Sequence, residues 1–105
     1  MTESSDRAEV ERLARASREA GAGWRALKNE AEGWEYRYHL GLLTPSECGK
    51  WVHERGSLAR RTLDAEERFN VALRAYREAL SAFYARYVQG RSACPSPVPF
   101  RWGMP

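Results

Sequence analysis

From Val10, an apolar or small residue recurs at Leu13, Ser17, Ala20, Trp24, Leu27, Ala31, Trp34 and Tyr38. The steps alternate three and four, the heptad period of a helix packed lengthwise on another helix. Ser17 is the single polar member. Asp6-Arg7-Ala8-Glu9 reads as a capping box, and Gly41 as an end, so the pattern predicts a helix over about 6–41. The run Trp34, Tyr36, Tyr38, Leu40 also alternates with period two. A strand there finds no convincing partner beyond the short Val98–Trp102 run, whereas the 3,4 spacing ties Trp24 and Trp34 to seven other positions.

The next punctuation is sharper. In Leu43-Thr44-Pro45-Ser46-Glu47, Thr44 is placed to cap, Pro45 to open the first turn and Glu47 to complete the box. A second helix is expected over about 45–89, antiparallel to the first because the loop is short. It carries two overlapping seams. One is Phe69, Leu73, Tyr76, Leu80, Phe83 and Tyr87. The other is Trp51, Leu58, Ala65, Phe69, Ala72, Tyr76, Ala79 and Phe83. Together they make an apolar face wider than one neighbouring helix needs. Gly56-Ser57 and Asp64-Ala65-Glu66-Glu67 leave open a kink or break near 56–63. One long helix is the reading adopted, since no proline interrupts it.

The fold class is therefore all-α: a long antiparallel hairpin over 1–90, expected to dimerise into a four-helix bundle. Residues 91–105 form a separate Pro-rich and aromatic segment, with Pro95, Pro97, Pro99 and Pro105, expected to be extended. Phe100 and Trp102 are its candidate partner contacts. The expected core or dimer interface comprises Trp24, Leu27, Trp34, Tyr38, Trp51, Phe69, Leu73, Tyr76, Leu80, Phe83 and Tyr87. Glycine precedes both Trp24 and Trp34, and on a helix it would clear space beside a large ring.

Composition adds limits. The chain has 105 residues, 43% of them hydrophobic and 30% charged, with net charge +3. No apolar run is long enough to span a bilayer, and the first twenty residues lack the apolar core of a signal peptide. The expectation is a soluble, cytoplasmic protein. Of 17 basic residues only Lys28 and Lys50 are lysines, and isoleucine is absent. A GC-rich coding sequence accounts for both. Arginine chosen for phosphate forks is the functional alternative. Arg7, Arg18 and Arg25 share a flank of the first helix; Arg61, Arg68 and Arg86 lie near one angular position on the second. These six are the candidate phosphate contacts.

Catalytic patterns do not emerge. His39 and His53 lack carboxylate or Cys partners at ligand spacing, and there is no Gly-rich phosphate loop or nucleophile elbow. No cofactor, metal or enzymatic activity is expected. Cys48 and Cys94 have no zinc spacing, and a single long helix would hold them too far apart to bond within one chain. Gly-Trp dipeptides resemble the hooks that enter pockets of Argonaute-type proteins. Trp24 and Trp34 lie on the seam, however, and only Trp102 falls in a segment suited to that use. The leading expectation is a non-enzymatic interaction protein that self-associates and binds a protein partner. The alternative is a helical dimer that covers double-stranded RNA through Arg–phosphate contacts, as suppressors of RNA silencing do.

Overall fold

A computed structural model describes residues 2–89; the segment 91–105, with Cys94, Phe100 and Trp102, lies outside the described residues. Helix α1 runs over Glu3–His39 and α2 over Pro45–Phe83, continued by a π-helical turn at Tyr84–Val88. The described chain is an elongated two-helix hairpin. Its long dimension of 67 Å matches α2 together with its π-helical continuation, at about 1.5 Å of rise per residue.

Both ends of the loop are set by local chemistry. Leu40 caps α1, and Gly41 takes φ 70°, a left-handed conformation that favours glycine. The Leu42 amide donates to the Arg37 carbonyl and the Gly41 amide to that of Tyr38, which satisfies two otherwise orphaned carbonyls. Thr44 then opens α2. Its hydroxyl accepts from the Glu47 amide at 3.1 Å, and the Glu47 carboxylate accepts from the Thr44 amide at 2.9 Å. The bond from the Thr44 amide, with the Thr44 hydroxyl assisting, holds the Glu47 carboxyl below its ordinary range.

Three boundaries differ from the sequence expectation. Thr2, not Asp6, caps α1, accepting from the Ser5 amide at 3.0 Å; α1 therefore starts a turn earlier, and Asp6 is released for another use. Helix α1 stops at His39 rather than near 41, with Gly41 beyond its cap. Between its ends, helix α2 passes through 56–63 unbroken, in keeping with the one-helix reading, because one glycine costs only about 1 kcal/mol in a helix; the third difference is at its C-terminal end. Past Phe83 the bonding widens: the Gln89 amide donates to the Tyr84 carbonyl, five residues back. Each residue of such a turn advances by a smaller angle than in an α-helix.

Candidate functional site

Along α1, every position of the 3,4 series from Val10 to Tyr38 is buried or half-buried. They meet a matching series on α2: Trp51, Leu58, Thr62, Ala65, Phe69, Ala72, Tyr76, Ala79 and Phe83. Two aromatic stacks cross the seam. Trp24 faces Phe69 with ring centroids 5.7 Å apart, and Trp34 faces Trp51 at 5.8 Å. Cations cover the outer edges: Arg37 lies 4.4 Å from the Trp34 centroid and Lys28 5.3 Å from that of Trp24. Leu27 and Tyr38 are half-buried on the same seam, and Arg55 approaches the Tyr38 ring at 5.8 Å.

Coverage is thin all the same. Among the described residues only Trp51, Leu58 and Ala65 are buried apolar side chains, and none falls below 2% exposure. The indole Nε1 of Trp51 is buried without a hydrogen-bond partner, so packing alone holds that ring. The glycine that admits a close approach is Gly21: a Cβ there would lie 2.9 Å from Cε1 of Phe69. Gly23 and Gly33 have open space at that position. The Gly-Trp pairs are thus not clearances within the hairpin.

At the open end, a side-chain clasp joins the helices. Asp6 Oδ2 accepts from the Tyr87 hydroxyl at 2.6 Å and from Arg86 Nη1 at 2.9 Å. The π-helical turn makes this reach possible, because the smaller angular step keeps Tyr87 toward α1. The Tyr87 hydrogen bond, with Arg86 assisting, holds the Asp6 carboxyl below its ordinary range. The same bond pushes the Tyr87 phenol up, and burial adds to the effect. In sequence Asp6 reads as a cap and Arg86 as a phosphate contact, so this pairing went unforeseen.

The second α2 seam does not stay together. Phe69, Tyr76 and Phe83 turn toward α1, while Leu73 and Leu80 lie on the next heptad row, about 40–50° further round on one flank, where Leu73 is still half-buried. Leu80 is 42% exposed. Two heptad rows make up this flank: Ala59, Glu66, Leu73 and Leu80; and Leu63, Asn70, Arg77 and Tyr84. Leu63 is 65% and Tyr84 52% exposed. Sequence reading missed Leu63, although it lies three heptads before Tyr84, a spacing that a search for a second stripe finds.

Helical phase also sorts the arginines. Glu35, Arg55, Gly56 and Ala59 rim the groove on the Leu63 side, and Glu30, Lys50, Glu54 and Arg61 on the other. Arg18 and Arg25 fall on the Leu63 side; Arg61 and Arg68 fall opposite. Arg7 pairs with Glu3 at 3.3 Å and Arg86 with Asp6. The six candidate phosphate contacts thus occupy two faces and one clasp rather than a single strip. His39 Nε2 lies 3.1 Å from Glu35; no group of three His, Cys, Asp or Glu side chains among the described residues is placed to hold a metal. No described helix is long and apolar enough to cross a membrane.

Comparison with protein families, curated proteins and solved structures finds no significant match.

Proposed function

We propose that this chain is a non-enzymatic helical interaction protein that works as a dimer of hairpins, forming a four-helix bundle on which a protein partner docks. The observation that carries the reading is the apolar flank of α2. Leu63, Leu80 and Tyr84 are each more than 40% exposed and share one side of one helix. Helix α1 is already committed to the other seam and cannot cover them. A helix with two apolar stripes requires two neighbours, and an antiparallel bundle supplies them. Size-exclusion chromatography with light scattering tests it. Twice the 12.0 kDa of one chain is the expected mass at micromolar concentration; a single-chain mass at high micromolar concentration contradicts the reading.

A second reading rests on Arg18, Arg25, Arg61 and Arg68, which make no ion pair among the described residues. On a dimer these cations would meet phosphates of duplex RNA without base readout. A gel shift with generic duplex RNA across salt concentrations decides it. Binding with a steep salt slope supports this second reading, and no shift at low salt removes it.

A further inference from the structure

We infer that the α2 flank is self-complementary: a second copy packs on it antiparallel, with the two-fold axis passing between Val71 and Ala72. This assignment of register rests on the dimer reading above and goes beyond it.

The two rows of the flank differ in what they carry. One offers Ala59, Glu66, Leu73 and Leu80; the other offers Leu63, Asn70, Arg77 and Tyr84. In an antiparallel helix pair, a residue of one row faces a residue of the other row on the second copy. A dyad between Val71 and Ala72 sets Leu63 against Leu80, Glu66 against Arg77, Asn70 against Leu73 and Ala59 against Tyr84. Two-fold symmetry repeats each pair. The acid and the base of the flank then oppose each other twice. The large exposed side chains find apolar neighbours: Leu63 meets Leu80, and Tyr84 has the small Ala59 below it.

Neighbouring registers do worse. Sliding by one heptad in one direction places Glu66 against Asn70 and Arg77 against Ala59. Sliding in the other places Glu66 against Tyr84 and Arg77 against Leu73. Each leaves both charges facing uncharged groups as they lose water. A parallel pairing sets Glu66 beside Glu66 and Arg77 beside Arg77, which repel. The matched segment, residues 59–84, is about 39 Å of helix. Neither glutamate nor arginine is bound elsewhere: Glu66 and Arg77 form no ion pair among the described residues.

The test is a charge swap read by sedimentation equilibrium on the full chain. Glu66→Arg alone and Arg77→Glu alone should each weaken the dimer by roughly tenfold or more, since each creates two like-charge contacts. The double variant Glu66→Arg/Arg77→Glu should return most of the affinity. Singles without effect, or a double as weak as the singles, overturn the register.

A covalent readout separates register from self-association. In a Cys48→Ser/Cys94→Ser background, Leu63→Cys/Leu80→Cys places the two thiols about 25 Å apart along one helix, beyond the reach of an intrachain disulfide. Oxidation should yield a disulfide-linked dimer on a non-reducing gel. A wild-type dimer by mass whose cysteine variant does not crosslink overturns the register alone. A wild-type monomer overturns both the register and the dimer.

Discussion

Two stripes of α2 run side by side with the same heptad spacing and meet different fates. Trp51, Leu58 and Ala65 lie under α1 at 5%, 3% and 9% exposure. Leu63, Leu80 and Tyr84, further round the helix from that row, are exposed at 65%, 42% and 52%. Nothing in the side chains themselves explains the difference, for leucine occurs in both. Their position relative to the single available neighbour does. A hairpin covers one stripe per helix, and apolar width beyond that waits for another chain.

The comparison breaks most readily at Trp51. Trp51→Ala removes the ring stacked on Trp34 and should lower the unfolding free energy by about 3–5 kcal/mol, measured by chemical denaturation. Leu80→Ala is the counterpart on the open stripe. Where the chain is monomeric it should change stability by less than about 1 kcal/mol. Its cost should grow with protein concentration as the dimer forms. A Leu80→Ala cost as large as that of Trp51→Ala in dilute solution would erase the distinction between the stripes.

Glycines give a smaller contrast of the same kind. Gly21→Ala drives a Cβ against the Phe69 ring, and the overpacking should cost about 1–2 kcal/mol after the helix gain. Gly23→Ala and Gly33→Ala meet open space and should each stabilise by about 0.5–1 kcal/mol. Thermal melts of the three variants, read together, locate the close approach.

The smallest effect lies at the exposed clasp. The folded pKa of Asp6 is depressed, so its contribution is present above its ordinary value of 3.8 and fades as pH falls through the lower folded value. Tyr87 shifts the opposite way. Its contribution is full below its ordinary value of 10.0 and is lost as pH rises through the higher folded value. Asp6→Asn should therefore lower the neutral plateau slightly, leave stability at the acid end nearly unchanged, and so flatten the acid limb. An acid limb identical to that of the wild type would remove the clasp from the account.

The hairpin was legible because its signals are local or periodic. The Thr44-Pro45-Glu47 cap and the series from Val10 to Tyr38 need only neighbouring residues to be read. The clasp was not, because it joins residues eighty positions apart and depends on a π-helical turn that no residue pattern announces. Asp6 satisfied a capping rule that Thr2 satisfied one turn earlier. The division of the α2 seams was half visible. Excess width can be counted in sequence, but which leucines α1 leaves uncovered depends on the phase at which the two helices meet. Gly21 differs from Gly23 for the same reason: two positions along a helix point to different neighbours.

The central claim is that the open stripe of α2 is where a second copy sits. Light-scattering mass of the wild type beside Leu63→Asp/Leu80→Asp, at matched micromolar concentrations, tests it most directly. The wild type should be a dimer and the variant a helical monomer of 12.0 kDa. Equal masses for the two proteins, whether one chain or two, would contradict it.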